Sequence, residues 1–273
     1  MIYEKAFAKV NLALEVGREI DGYHEVNNLM IPINLYDEVF LEKGYKDSID
    51  CDVEILDNIC YKAIRLFKEK FHIEEFVHIT LHKNIPQMAG LAGGSSDAAA
   101  TLRGLNRLFE VNADTNDLYD IACELGSDVP FFLNSKASLC TGHGEIVTPI
   151  DIDFQGIPIL IIKPKFGLST KEVYRNYVYD GISKNVELEN LLVAIKNKDF
   201  DEIDEWIFND LEAAALKLSP ELEELYQKIE GLSYVPHISG SGPTIFLIDA
   251  KYVDLENIKA LDDSLTLHLC HTV

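Results

Sequence analysis

Apolar and polar positions alternate from Ala6 to Val16 (Ala-Phe-Ala-Lys-Val-Asn-Leu-Ala-Leu-Glu-Val), and a period of two predicts a strand with one covered face. Asp21-Gly22 predicts a tight turn. Extended runs follow at Val26–Leu35, Asp37–Glu42 and Ser48–Val53. Within Asn58–Phe71, Ile59, Ala63, Leu66 and Phe67 fall at helical spacing, and Phe76–Leu81 returns to a strand pattern. After a loop at Lys83–Gly94, a helix is predicted to open at Ser95-Ser96 and to bury Ala98, Leu102, Leu105 and Phe109. A helix at Thr115–Leu125 and strands at Ala137–Cys140 and Glu145–Pro149 complete a first half.

A second half starts near residue 151. Ile157–Ile162 is a buried strand, and Thr170–Tyr179 and Glu187–Asn197 are helices. Acidic helices fill Asp199–Glu230. Val235–Ser239, Thr244–Ile248 and Leu265–His271 read as strands, with a helix near Leu255–Leu261. Strands and helices mixed within each half predict an α+β chain of two domains, 1–150 and 151–273.

Composition narrows the function. The 273 residues carry 24 basic and 46 acidic side chains, a net charge of −22. That field repels a phosphate backbone and no basic stripe offsets it, so nucleic-acid binding is excluded as the main role. A small anionic ligand is not excluded, because a local loop can overrule the global field. Eleven acidic and two basic residues lie between Asp199 and Glu230, which reads as a solvated helix face. No apolar stretch is long enough for a membrane span and the first residues lack a signal-peptide pattern, so no membrane association is expected. Five widely spaced cysteines without a C-x-x-C pair read as reduced thiols of a cytoplasmic protein. His78 and His82 share a strand face, and neither they nor His268 and His271 have neighbours at metal-ligand spacing.

Three segments carry chemistry. The first is Pro86-Gln-Met-Ala-Gly90-Leu91-Ala92-Gly93-Gly94-Ser95-Ser96-Asp97. Glycines let the backbone approach a ligand, and the helix that follows adds unpaired N–H groups and a positive dipole end. Together they form an anion cradle suited to a triphosphate. The loop is neither a Walker A motif nor a dinucleotide fingerprint. The second segment, Gly126-Ser127-Asp128-Val129-Pro130, sets an acid between a turn and an apolar run; alone it reads as a cap or an Asx-turn. The third, Ser239-Gly240-Ser241-Gly242-Pro243, is a glycine-rich turn beside a buried strand and could hold a second phosphate.

In this order and spacing the three segments resemble the GHMP kinase superfamily of galacto-, homoserine, mevalonate and phosphomevalonate kinases, over nearly the whole chain. Ala8-Lys9-Val10-Asn11-Leu12 and Asp21-Gly22-Tyr23-His24-Glu25 are similar to the branch that phosphorylates a cytidine diphosphate-linked alcohol for isoprenoid synthesis without mevalonate. The resemblance implies two α+β domains, an N-terminal ATP-binding one and a C-terminal one, with the active site in the cleft between them. It implies ATP over Pro86, Gly90, Leu91, Ala92, Gly93, Gly94, Ser95 and Ser96, with Mg2+ accompanying it on ligands the sequence does not indicate. It makes Asp128 the general base and Lys9 its electrostatic partner. It places the cytidine diphosphate substrate near Asn11, Tyr23, His24, Tyr174, Arg175, Gly240, Ser241 and Gly242, with Tyr23 and His24 on the cytosine ring.

The chain departs from that pattern at Met88, Ala89 and Ala92, where glycine is common, and Met88 is expected outside the phosphate contacts. Asp97 stands where Asn or Ala is common. An acid there either faces a magnesium ion or points away along the helix. Another GHMP kinase, or a GHMP protein without activity that senses a metabolite, are the rival readings; Tyr23-His24 and the pair Lys9 and Asp128 argue against them.

Overall fold

The computed structural model describes residues 1–20 and 22–273; Asp21 of the expected turn lies outside the described residues. The first half contains β1 (Ile2–Ile20), β2 (Tyr23–Gly44), β3 (Ser48–Cys51), α1 (Ile59–Phe71), β4 (Phe76–His82), α2 (Gly93–Leu108), α3 (Thr115–Leu125), α4 (Val129–Phe132), β5 (Ser138–Thr141) and β6 (Ile146–Pro149). The second contains β7 (Pro158–Lys163), α5 (Thr170–Asn176), α6 (Asn185–Asn197), α7 (Phe200–Trp206), β8 (Phe208–Asn209), α8 (Glu212–Leu218), α9 (Pro220–Glu230), β9 (His237–Ile238), β10 (Ile245–Ile248), α10 (Leu255–Leu261) and β11 (Thr266–His271).

One sheet runs β3-β4-β2-β1-β8, with β5 and β6 joined to it through β2; the other runs β11-β7-β10-β9. The second sheet shows why Ile159–Ile162 is a continuous apolar run. Ile159 and Ile161 pack towards β1 and β2, while Leu160 and Ile162 pack towards α8, α9 and α10. Both faces are covered, so neither parity can be polar. The first sheet buries its other face under α1, α2 and α3.

Several expectations need correction. Val26–Leu35 and Asp37–Glu42 are one strand. The break at Tyr36 reflects a shift of register against β1 between Phe7 and Ala8, which changes the face that is covered. Helix α2 opens at Gly93, two residues early, because Ala92 takes the left-handed conformation and its carbonyl already accepts from Ser96 N at 3.0 Å. Helix α5 stops at Asn176, where Tyr177 turns to extended backbone. The acidic run is interrupted by β8, which pairs in parallel with Ala13 and Leu14 of β1. Chain from the second half thereby completes the edge of the first sheet.

Candidate active site

A cleft of about 930 Å³ lies between the first sheet, the loop before α2, α4, α5 and the turn after β9. Strand β1 brings Lys9 and Asn11 to it from one face, since they are two apart and the register with β2 is regular between Ala8 and Asn11. The intervening Ala8, Val10 and Leu12 pack into the core behind.

Lys9 is buried to 4% exposure. Its ammonium donates to Asn11 Oδ1 and, at 2.8 Å, to the Gly90 carbonyl. Asn11 in turn donates to Asn28 Oδ1 at 2.7 Å. Ser239 Oγ donates to the same Gly90 carbonyl at 3.1 Å. One carbonyl of the glycine loop thus ties β1 to the turn after β9. Burial lowers the Lys9 pKa, and the negative charge of Asp128 pulls it back up.

Asp128 stands at the start of α4 without bonding to its own helix. Val129 and Pro130 open that helix, and proline has no N–H to offer a capping side chain at the second position. The carboxylate is left free to act outward. Its charge also raises the proton affinity of Tyr174, which burial chiefly and Asp128 secondarily push up to about 12, and of Cys140, where burial again leads. Lys9, Tyr174 and Cys140 therefore all lie within its electrostatic reach.

The loop at 86–95 forms the opposite wall. Gly90 has φ +72°, and a Cβ on it would come 2.2 Å from the Ser239 carbonyl oxygen, so only glycine fits. Helix α2 has no side-chain cap, and its first N–H groups open towards the cleft. Gly94 is the reverse of Gly90: a Cβ there meets nothing within 4 Å. Its surroundings are cleft.

At the far end, Ile20 pairs with Tyr23 and Glu19 with His24 across the hairpin. Tyr23 is 64% exposed and its ring lies 5.2 Å from that of His143. His24 Nδ1 donates to the Gly17 carbonyl at 2.9 Å, since a carbonyl can only accept. The neutral ring then presents Nε2 as an acceptor. The Tyr174 ring lies tilted against His24 with centroids 5.5 Å apart, and Lys171 and Arg175 line the same mouth.

Of the residues expected from sequence, Lys9, Asn11, Tyr23, His24, Pro86, Gly90 to Ser95, Asp128, Tyr174, Arg175, Gly240 and Ser241 line this one cleft. Ser96 and Gly242 do not; the Ser96 hydroxyl is buried without a partner, and the Gly242 N–H donates to the Ser239 carbonyl to close the turn. Met88 also lines the cleft, and a Cβ on Gly167 would press on its side chain at 2.8 Å. Asp97 neither faces the cleft freely nor points away. It is paired with Lys83, which also binds Asp37, and all three side chains are at most 6% exposed. Sequence reasoning missed Asn28, Lys83, His143 and Thr170. Only His143 carried a signal, since it sits between Gly142 and Gly144 in a turn.

Comparison with known proteins agrees with this geometry. Residues 58–136 match the model of the GHMP kinases N terminal domain, and 191–260 that of the GHMP kinases C terminal region. A 4-diphosphocytidyl-2-C-methyl-D-erythritol kinase of Clostridium perfringens (strain 13 / Type A) is 40% identical over 252 residues, covering 89% of this chain and 86% of its own. One of Macrococcus caseolyticus is 39% identical, covering 92% and 91%. A crystal structure of 4-(cytidine 5'-diphospho)-2C-methyl-D-erythritol kinase superposes with a TM-score of 0.84 at 30% identity, over 99% of both chains. A homoserine kinase from Cytophaga hutchinsonii, at 19% identity and a TM-score of 0.69, shares the fold. With relatives this similar over nearly nine-tenths of its length or more, the chain belongs to the GHMP kinase family.

Proposed function

We propose that the chain transfers the γ-phosphoryl group of ATP to a hydroxyl of 4-diphosphocytidyl-2-C-methyl-D-erythritol, giving the 2-phosphate and ADP. The observation that carries this reading is the meeting, in one cleft, of the uncapped α2 N-terminus, the Lys9 and Asp128 pair, and the Tyr23-His24 hairpin. The relatives' names point to the same substrate.

The nucleotide's phosphates lie along Gly90–Ser95, where backbone N–H groups and the helix dipole meet their charge. The acceptor hydroxyl lies between Lys9 and Asp128. Asp128 takes its proton as the oxygen attacks phosphorus. Lys9 faces the charge that builds on the transferred group, and its burial makes that interaction stronger than it is in water. Phosphoryl transfer asks mainly for position and charge neutralisation, which these elements supply.

Magnesium fits this cleft as an ion carried by phosphate oxygens and water. Among the described residues no three His, Cys, Asp or Glu side chains form a cage, and such ions commonly keep several waters beside one or two carboxylates and phosphates. Ser95 is the lining oxygen donor that would hold it beside the phosphates, since Asp128 serves as the base and Asp97 is committed to Lys83. When bound, the ion neutralises charge on the β- and γ-phosphates.

His24 supplies the discrimination. With Nδ1–H committed to Gly17, its Nε2 accepts from the exocyclic amine of cytosine, and the carbonyl at that position in uracil offers it no proton. ADP release with the cytidine substrate and its uridine analogue tests this. The cytidine compound should react and the uridine one should be strongly disfavoured. Tyr23→Ala should raise the KM for the cytidine substrate about 5- to 150-fold, from the loss of a stacked ring worth ~1–3 kcal/mol, and change that for ATP little. Equal use of both bases, with unseparated KM values, would leave a GHMP kinase of another acceptor.

A further inference from the structure

We propose that Asn209 is a positioning residue: it sets Gly240 against the Lys9 ammonium and so fixes the acceptor side of the cleft. The proposal rests on the kinase reading above for its kinetic consequence, and on geometry alone for its structural one.

Asn209 lies outside the cleft lining and holds three segments at once. Its backbone pairs with Leu14 of β1, and Asp210 N donates to the Leu14 carbonyl at 2.9 Å. Its amide donates to the carbonyls of Ile238 and Gly240, each at 2.8 Å. Its own Oδ1 accepts from Leu211 N at 3.0 Å, which fixes the side chain's orientation. The neighbours act in the same sense. Asp210 accepts from Val16 N at 2.8 Å and Glu212 from Ile238 N at 3.1 Å. Residues 209–212 thus gauge the distance between β1 and the turn after β9.

That distance matters at Gly240. The residue has φ +59°, and a Cβ on it would lie 3.2 Å from Lys9 Nζ and 3.3 Å from Asn11 Oδ1. No spare space separates the turn from the ammonium. The turn is also tied to Asn11 and to the Gly90 carbonyl through Ser239 Oγ, but Gly240 itself is glycine and brings no side chain. One amide proton of Asn209 therefore holds the Gly240 carbonyl and the other the Ile238 carbonyl two residues before it, and a displacement of the order of 1 Å at a reacting centre can cost about 10²-fold in rate.

Replacement by Ala removes both donors. Replacement by Asp keeps the shape but turns a carboxylate towards two carbonyls. Steady-state kinetics of Asn209→Ala and Asn209→Asp, beside thermal melts, read the first consequence. The expected result is a fall in kcat of about 10- to 100-fold in folded protein, larger for Asp than for Ala at pH 8. The Asp variant should approach the Ala variant at lower pH, where a protonated carboxyl again donates. The second readout is the titration of the Lys9 ammonium by nitrogen NMR in Asn209→Ala. Retreat of Gly240 admits water, so the Lys9 pKa should rise towards the ordinary lysine value. Folded variants with native kcat and an unmoved Lys9 titration overturn the proposal, as does a lower melting temperature with no change in either. Should the Asp variant not fold, the Ala variant decides. Should the native enzyme release no ADP with the cytidine substrate, the kinase reading falls and the Lys9 titration alone judges Asn209.

Discussion

Residues Pro86–Ser95 and residues Lys9–His24 face each other across the cleft and are held in different ways. The first wall is main chain: a left-handed Ala92, glycines on either side of it and the bare end of α2. Its ligand-facing groups are N–H bonds whose directions follow from the backbone. The second wall is side chains on a hairpin, kept in place by hydrogen-bond partners on the hairpin and on the loop: Asn28 on Asn11, Gly90 on Lys9, Gly17 on His24. A backbone wall suits what all nucleotide triphosphates share. A side-chain wall can be changed residue by residue, and under the proposed function it is where acceptor choice would reside. Asp128 stands at the junction of the two.

Loss of Asp128 should therefore outweigh any loss on either wall. Asp128→Asn keeps the shape but cannot accept the hydroxyl proton, and loss of a general base costs about 10²–10⁴ in rate. Nucleotide binding, measured by calorimetry, should stay near native because the phosphate wall is untouched. Near-native turnover in a folded variant would remove Asp128 from the role of base.

Two glycines of the backbone wall separate fold from ligand. Gly90→Ala drives a Cβ into the Ser239 carbonyl and adopts φ +72°, so it should lower the melting temperature by several degrees. Gly94→Val meets open cleft, so the melting temperature should stay near native. Its side chain would occupy the space of the phosphates, and affinity for an ATP analogue should fall tenfold or more. Native affinity in Gly94→Val would move the nucleotide off this loop.

The same contrast explains what could be read in the sequence. The phosphate loop is contiguous, and glycines before an alanine-rich helix have a local physical meaning. Its helix start was misplaced, because the left-handed turn at Ala92 leaves no mark on an alanine, and Ser96 lies behind the cleft as a consequence. The acceptor wall is scattered over β1, β2, α4, α5 and the turn after β9. Tyr23 and His24 could be named only through a family resemblance. Asn28, Thr170 and Asn209 were invisible, since their importance comes from which chain segments meet. The continuity of β2 past Tyr36 was hidden for a related reason: a register shift swaps the covered face and makes one strand look like two. Asp97 was seen, but its partner Lys83 lies 14 residues away and the pair forms only when the loop folds back on α2.

Behind the backbone wall, that acid should give the smallest effect on turnover, and its signature lies in stability. Lys83 sits between Asp37 and Asp97, so one positive charge faces two carboxyls. Asp37 also accepts from the backbone N–H groups of Asn84 at 2.6 Å and Ile85 at 2.8 Å, which leaves Asp97 the less compensated of the two; its Oδ1 has no partner. Burial chiefly, opposed by Lys83 and reinforced by Asp37, pushes the Asp97 carboxyl from its ordinary 3.8 up to about 8. A carboxyl whose folded pKa lies above its unfolded one keeps a proton that the unfolded chain has already lost. Stability is then undiminished below about pH 4 and declines as the pH rises towards about 8. Asp97→Asn keeps the shape, leaves Lys83 paired with Asp37 and carries no such cost. Urea denaturation should find the two proteins alike near pH 4.5 and the variant more stable near pH 9, by a difference of a few kcal/mol. A difference that does not change with pH would mean that Asp97 stays ionised in both states, with Lys83 compensating it in full.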